Sequence, residues 1–311
     1  MINNQNNNSF FYRWISGILS NKKALIGSWI IIACIVISIL GPFFIQSPTE
    51  FLSTPLSPPS KNHFFGTNGQ GQDVFAQTIS GARQTLLVGF SVGILVVIIG
   101  AVIGGIAGFY GGIIDDILSL IINIFLVMPG LPLMVILASW LPPGPGTLLG
   151  VLVLTGWAWN ARIIRSQMMT FRKRDFVSAA IISGEKNLRI IMIEIMPRML
   201  SLLASSFIGA SIYAIGAQVG LEFLGLGDIS TVTWGTNLYW ASNDLALLTE
   251  SWWTFVPTGL SIAIVSFSLT LINFGIDEVT NPRLISERVW KKSLKGKIIV
   301  TGITPIAHNH E

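Results

Sequence analysis

Six long apolar stretches constrain this sequence more than any other feature, because none has a charged residue in its central part. They run approximately over residues 24–45, 85–109, 117–141, 147–163, 199–221 and 254–276. A helix of about 20 apolar residues crosses the roughly 30 Å hydrocarbon core of a bilayer and satisfies its backbone polar groups internally. The pattern therefore predicts an all-α, polytopic membrane protein with six transmembrane helices.

The composition agrees with a lipid environment. Hydrophobic residues make up 51% of the 311 residues and charged residues only 11%, whereas soluble domains carry about 25% charged residues. The single cysteine, Cys34, lies inside the first apolar stretch. Neither a disulfide framework nor a cysteine-based metal site is therefore expected.

Basic residues cluster beside one set of segment ends, and such clusters favour the cytoplasm. Lys22 and Lys23 precede the first stretch, and Arg172 to Arg174 follow the fourth. Residues 222–253 contain no Lys or Arg. We expect a multi-pass protein of the cell membrane with both termini in the cytoplasm, surrounded by lipid and without a nucleic-acid partner.

The segments outside the stretches divide the chain further. Residues 1–23 are expected to include an amphipathic helix at the inner interface, since Phe11, Trp14, Ile15 and Ile18 recur at helical spacing. Residues 24–45 would be a first anchor, residues 46–84 a long external loop, and residues 278–311 a cytoplasmic tail. Residues 85–277 would form a core of five helices that includes a cytoplasmic loop at 172–197.

Several functions are disfavoured by what the sequence lacks. It has no G-x-x-x-x-G-K-[ST] loop for a nucleotide phosphate. Its six stretches have no ionisable residue near their middle, which disfavours an ion-coupled carrier but leaves one with non-ionisable coupling sites possible. Its histidines, His63, His308 and His310, lie outside the stretches, so no enzymatic or metal centre is expected. The role of His308 and His310 stays open.

The loop at 172–197 carries the most local structural signals. Asp175 is a suitable N-cap for a short helix through Ile182, and Gly184 can end that helix in the left-handed conformation. A second helix through Ile195 follows, and Pro197 opens the fifth stretch. Two interpretations are open: a helix pair that rests on the membrane surface, or a docking element for another protein.

The order of Ala179, Ala180, Gly184 and Pro197, with Ile190 and Ile191 between them, resembles the cytoplasmic "EAA" loop of binding-protein-dependent ABC importer permeases. In that family the loop forms the coupling helix, which fits a groove of the ATPase subunit. Ser178 and Glu194 depart from the family pattern, which often has Glu and His there. The resemblance implies a set of coupling residues: Asp175, Ser178, Ala179, Ala180, Gly184, Glu185, Arg189 and Pro197.

Further matches extend the resemblance to the C-type permease subunit of the dipeptide/oligopeptide/nickel branch. They are His63, Gly66, Thr67, Gly71 and Asp73, the run LEFLGLG at 221–227, and residues 281–283. The resemblance implies a type I ABC importer permease fold, a second homologous permease, two ABC ATPase subunits that bind ATP and magnesium, and an extracellular solute-binding protein. It implies no cofactor and no catalytic residue in this chain. Dipeptides or oligopeptides are the implied substrates, with oligosaccharides or nickel chelates as alternatives.

The external segment 222–253 is rich in aromatic and acidic residues. An aromatic belt at the bilayer boundary would explain the aromatic residues, but a connection of about 30 residues is also typical of a binding segment. In the family that this chain resembles, the segment faces the solute-binding protein. Glu222, Trp234, Trp252 and Trp253 are therefore candidates for the mouth of the pathway.

Two features within the spans each allow two interpretations. Glycines in the second span include two runs at four-residue spacing: Gly89, Gly93, Gly100, Gly104, Gly108 and Gly112. Such a face serves either static packing within the subunit or a sliding surface against the partner permease. Pro129, Gly130 and Pro132 interrupt the third span, either as a broken helix that exposes carbonyls to a cavity or as a simple kink.

Overall fold

The computed structural model describes residues 21–51 and 54–280, and this part of the chain consists of helices and loops. Its longer helices are α1 (Lys22–Leu40), α2 (Val74–Tyr110), α3 (Gly112–Val127), α4 (Gly130–Trp140), α5 (Pro145–Arg172), α6 (Asp175–Ile182), α7 (Leu200–Phe223), α8 (Trp234–Asn243) and α9 (Val256–Thr280). The predicted interfacial helix before residue 21, nearly all of the predicted tail, and His308 and His310 lie outside the described residues.

The helices agree with the predicted all-α membrane fold. Within the described residues, five helical segments are long and apolar enough to cross a membrane, and they contain α1, α2, α5, α7 and α9. The pair α3 and α4 supplies a sixth span if its two halves are counted together. The division into a first anchor and a five-helix core stays a prediction, and several helix ends differ from those predicted.

The third span is broken rather than gently kinked. Helices α3 and α4 meet at an angle of 84°, and Met128 between them has an extended backbone with ψ of 132°. A residue before proline is forced towards extended conformations, and proline itself has no N–H to continue the hydrogen-bond ladder. Pro129, which follows Met128, therefore ends α3 and starts α4 in a new direction.

Two helices extend beyond the apolar stretches that predicted them. Helix α2 begins at Val74 instead of residue 85, because Asp73 caps its first turn by accepting a hydrogen bond from the Ala76 N–H at 2.8 Å. Helix α5 continues to Arg172 instead of ending near residue 163. Arg172 Nη1 donates to the Tyr110 carbonyl at 2.8 Å, so the end of α5 is joined to the end of α2. Hydropathy marks the lipid-buried part of a helix, not its ends.

The glycines of α2 pack within the subunit. A Cβ on Gly100, Gly104 or Gly108 would meet the backbone or side chains of α5, and a Cβ on Gly89 or Gly93 would meet side chains of α7. Absence of a Cβ therefore lets α2 lie directly against both helices at the centre of the fold. The static interpretation is confirmed for these positions, whereas Gly112 has no neighbour at that distance.

Helix α1 packs beside α9 at the edge of the core. Gly27 lies against Ser268, and Gly275 lies against Ala24. The Asn21 side-chain amide donates to a carboxylate oxygen of Glu278 at 2.6 Å, which joins the beginning of α1 to the end of α9. We call this end of the helices, which also carries α6, the basic side, and the end that carries α8 the acidic side.

Candidate functional site

Helix α6 ends in a tight glycine turn on the basic side. Gly184 has a φ of +78°, the Glu185 N–H donates to the Ala180 carbonyl at 3.1 Å, and the Gly184 N–H donates to the Ile181 carbonyl at 3.0 Å. This pair of bonds is the Schellman arrangement, in which glycine takes the left-handed position. The predicted helix through Ile182 and its glycine stop are confirmed.

One detail of the predicted helix start is wrong. Arg174, with ψ of 147°, occupies the N-cap position, and Asp175 is the first residue of the helix. The carboxylate of Asp175 stays in the first turn, where it interacts favourably with the positive end of the helix dipole. Asp175 therefore supports the start of the helix electrostatically and not as a side-chain cap.

One face of α6 is buried against the protein and the other is exposed. Val177 is fully buried in a cluster that includes Ile164, Ile190 and Ile195. On the opposite face, Ser178 and Ala179 are exposed. Ala179, which matches the family loop, is therefore available for contact with another molecule, while the helix itself is fixed to the core.

Two exposed apolar side chains extend this face, and no sequence motif marks either of them. Ile182 is 86% exposed and Leu188 is 69% exposed, on either side of the Gly184 turn. Glu185 and Arg189 lie between and beside them, with 3.9 Å between Glu185 Oε2 and Arg189 Nε. Neither Ile182 nor Leu188 belongs to a periodic stripe, so only their exposure in the folded loop distinguishes them from core residues.

The second helical part of the loop is irregular. After a single turn at Asn187–Arg189 the chain forms a π-helical segment, Ile190–Ile195, and then a 3₁₀ turn at Met196–Met199 that contains Pro197. This segment leads directly into α7. A π-helical stretch is rare and often marks a functional site within a helix.

A large cavity lies between α2, α3, α5 and α7. Its volume is about 590 Å³, and among the described residues no charged side chain lines it. Its polar lining consists of hydroxyl and amide groups, with one indole beside them: Thr155, Asn160, Ser205, Ser206, Tyr213 and Trp159. Such a wall can donate and accept hydrogen bonds without selecting for charge.

A second cavity, of about 460 Å³, continues along the same helix towards the acidic side. It shares Tyr213 with the first cavity, and α4 forms its opposite wall through Leu131 and Met134. From Leu202 to Leu224 the α7 wall rises about 33 Å at ~1.5 Å per residue, close to the thickness of a bilayer core. Helix α7 is therefore the wall common to both cavities.

An ion pair fixes the broken span on the basic side. Asp115, in the first turn of α3, accepts two hydrogen bonds from the Arg165 guanidinium of α5, and the Nη2–Oδ2 distance is 2.7 Å. Ser119 also donates to Asp115, at 3.1 Å. The partners are 50 residues apart in sequence, so no local pattern indicates this pair.

The predicted mouth residue Glu222 lies inside the fold. Its side chain accepts hydrogen bonds from Gln218 Nε2 at 2.9 Å and from Thr233 Oγ1 at 2.6 Å. The residue is 3% exposed, and a Cβ on Gly235 would overlap its side chain. Glu222 thus ties the loop before α8 to the end of α7 and does not offer a free carboxylate at the surface.

The three tryptophans predicted at the mouth occupy different environments. Trp234 is 2% exposed, and its indole N–H donates to the Thr78 carbonyl of α2 at 2.9 Å. Trp253 donates to the Thr67 carbonyl at 3.2 Å, in the loop before α2. Trp252 is 53% exposed. Of the three, Trp252 therefore presents most of its ring to the surroundings, and the other two hold the acidic side together.

Two aspartates on the acidic side have opposite electrostatic environments. Hydrogen bonds from the Ser230 side chain and backbone, together with one from Thr231, lower the pKa of Asp228. Burial raises the pKa of Asp244, although its carboxylate accepts a hydrogen bond from the Gly69 N–H at 2.9 Å. Asp228 organises an exposed turn, and Asp244 joins the end of α8 to the loop before α2.

The motif residues ahead of α2 are structural in this protein. His63 Nδ1 lies 2.8 Å from Asp73 Oδ2, and Asp73 caps α2. Gly66, with a φ of +69°, lies against the Trp253 ring. These contacts give His63, Gly66 and Asp73 a role in folding the external loop over the start of α2.

Comparisons with known proteins agree on one kind of protein over most of the chain. The model of a family described as "Binding-protein-dependent transport system inner membrane component" matches residues 100–286. The oligopeptide transport system permease protein OppC of Bacillus subtilis is 33% identical over 85% of this chain and 87% of its own length. The dipeptide transport system permease protein DppC of the same organism is 32% identical, over 85% and 83% respectively. DppC of Alkalihalophilus pseudofirmus is 32% identical, over 86% and 88%.

Proposed function

Because this chain belongs to the family of inner membrane components of binding-protein-dependent transport systems, we propose that it is the C-type permease subunit of an importer for dipeptides or oligopeptides. The peptide substrate is inferred from the similarity of this chain to OppC and DppC, which covers 85% of the chain in both cases. The chain is a multi-pass permease of the membrane, and ATP hydrolysis belongs to partner subunits of the transporter.

The exposed face of α6 is the proposed contact with an ATPase. Ser178 and Ala179 have side chains small enough for close approach, and Ile182 projects from the end of the helix. Side chains that fill a desolvated pocket of the partner contribute most to such contacts. Asp175, Ala180, Gly184, Glu185, Arg189 and Pro197 shape and flank this surface.

The two cavities along α7 are proposed to form this subunit's half of the transport pathway. A second homologous permease would supply the opposite wall, since Gly209, Gly216 and Gly220 of α7 have open space where a Cβ would stand. Hydroxyl and amide groups around the larger cavity suit the peptide backbone, which every peptide shares. Closure of the ATPases would move α6 and switch the pathway between its inward-facing and outward-facing states.

The basic side is the proposed cytoplasmic side. Lys22, Lys23, Arg172, Lys173 and Arg174 lie at that end of the helices, as expected for cytoplasmic segments. The acidic side would then face the solute-binding protein. Trp252 is the candidate contact there, whereas Glu222, Trp234 and Trp253 position the loops that carry it.

A purification and a transport assay test the proposal together. The tagged chain is extracted in mild detergent, and we expect a second permease and an ABC ATPase to co-purify. The complex is then placed in liposomes with its binding protein, and ATP-dependent uptake of labelled trialanine is measured. Uptake should stop with vanadate and persist when ionophores dissipate the proton and sodium gradients.

Each alternative has its own result in the same assays. A chain that purifies without any ATPase, and whose uptake stops when the ionophores dissipate the ion gradients, would be an ion-coupled carrier. A complete complex that ignores trialanine but takes up an oligosaccharide or a nickel chelate would keep the importer and reject the peptide substrate.

A further inference from the structure

A cation–π contact joins α6 to the start of α7. The guanidinium carbon of Arg198 lies 3.6 Å from the centre of the Phe176 ring, well within the ~6 Å range of such contacts. Phe176 is in the first turn of α6, and Arg198 is in the 3₁₀ turn just before α7. Glu194 lies beside the same guanidinium, with 3.7 Å between Glu194 Oε2 and Arg198 Nη2.

This contact bypasses the irregular part of the loop. The π-helical segment Ile190–Ile195 lies between α6 and Arg198 along the chain. That segment departs from regular α-helical hydrogen bonding, so the backbone is an irregular link between α6 and α7. The buried side chains of Ile190 and Ile195 pack with Val177 of α6. The stack of Arg198 on Phe176 connects the residues on either side of that link directly.

The helix that Arg198 precedes is the wall of both cavities. Leu202, Ser205 and Gly209 follow Arg198 by four, seven and eleven residues, a spacing that places them on one face of a helix. All three line the larger cavity. A displacement applied at Arg198 therefore acts on the base of the cavity-lining face of α7.

We propose that Arg198 is a positioning residue that transmits movement of α6 to α7 by stacking on Phe176. The proposal rests on the proposed function, because it requires α6 to be moved by an ATPase. Arginine suits this role since its planar guanidinium stacks flat on a ring, whereas the ammonium of lysine contacts a ring only as a point charge. Arg198 touches no substrate; it acts through α7.

The test follows the cavity directly and needs no identified substrate. The single cysteine, Cys34, is replaced by alanine, and Ser206, which lines the larger cavity, is replaced by cysteine. The co-purified complex is treated with a water-soluble maleimide, with and without ATP and vanadate. The ratio of the two labelling rates measures how far the ATPase controls the cavity.

We expect Arg198→Ala to reduce the effect of ATP and vanadate on labelling by about fivefold, the factor that corresponds to one cation–π contact at a partly exposed site. Phe176→Leu keeps an apolar side chain in the loop but removes the ring, and should give the same loss. The double variant should be no worse than either single variant, because both remove one contact. Phe176→Tyr should retain the response, and Arg198→Lys, which keeps the charge but loses the planar stack, should retain only part of it.

The controls separate this inference from the proposed function. Lys23→Ala removes an exposed cation at the same side of the membrane protein, away from α6, and should keep the full response. An unchanged response in Arg198→Ala, with ATPase still co-purifying, would overturn the inference alone. An absence of any response at residue 206 with ATPase bound would also overturn it. Failure of the unsubstituted chain to bind an ATPase would instead overturn the proposed function.

Discussion

Replacement of Gly184 tests whether the exposed end of α6 docks onto another protein. Gly184 has a φ of +78°, and no atom lies within 4 Å of the place where a Cβ would stand. A larger side chain at this position therefore meets no steric obstacle within the described part of the chain. Its bulk points into open space at the turn that follows the exposed Ile182.

The internal cost of the substitution follows from the backbone. A residue with a Cβ in the left-handed region loses about 1–2 kcal/mol relative to glycine, and asparagine tolerates this region better than most residues. Gly184→Ala and Gly184→Arg bear the same backbone cost, since neither side chain clashes. A loss of this size is below a folding free energy of ~5–15 kcal/mol, and it is common to both variants, so it does not distinguish them.

The assay compares Gly184→Asn, Gly184→Ala and Gly184→Arg by co-purification of ATPase with the tagged chain. We expect Asn to retain the ATPase, Ala to lower its amount modestly, and Arg to reduce it more than about tenfold, which corresponds to ~1.4 kcal/mol of lost contact. All three variants should keep the second permease and unfold within a few degrees of one another. Equal ATPase recovery with Arg and Ala would refute a docking role for this surface.

Three further predictions concern the fold around the cavities. Gly104→Ala would place a methyl group against the Ala161 carbonyl and should lower the free energy of unfolding by about 1–3 kcal/mol. Gly209→Ala, at an open position, should lower it far less. Equal losses in the two variants would contradict the packing account. Asp115→Asn should destabilise the chain by about 1.5–3 kcal/mol, because Arg165 loses a charged acceptor; a melting temperature as high as that of the parent would show that the pair is dispensable. Burial raises the pKa of Asp244 above its unfolded value, so the charged form opposes folding and stability should rise as the pH falls through the folded pKa. Asp244→Asn should remove that part of the pH dependence. An unaltered pH profile of stability in this variant would count against the burial of Asp244 as its cause.

Local signals predict much of the docking loop. A left-handed turn is expected at Gly184 because only glycine adopts that conformation without strain, and the structure has it there. The end of α6 at Ile182 follows from the same signal. The docking role of the loop stays a prediction, since it depends on a surface of another protein.

Long-range contacts are not predictable in the same way. Glu222 has the sequence position of an external acid because it follows the fifth apolar stretch, yet Thr233, which lies 11 residues further along the chain, holds it inside the fold. Trp234 has the position of an interfacial belt residue, yet the Thr78 carbonyl accepts its indole N–H. Each outcome depends on a residue from a different segment or turn, and the order of residues alone does not bring those partners together.

The sequence by itself determined that this chain spans a membrane, which segments cross it and which end of them is basic, because apolar length, charge and glycine turns are properties of one continuous segment. Only the tertiary structure decided that α3 and α4 meet at 84°, that Asp115 pairs with Arg165, and that Arg198 stacks on Phe176. The break between α3 and α4 follows from Pro129, but its angle and the two side-chain contacts depend on how the helices pack against one another. Packing depends on shape and contact in three dimensions, which no periodicity encodes.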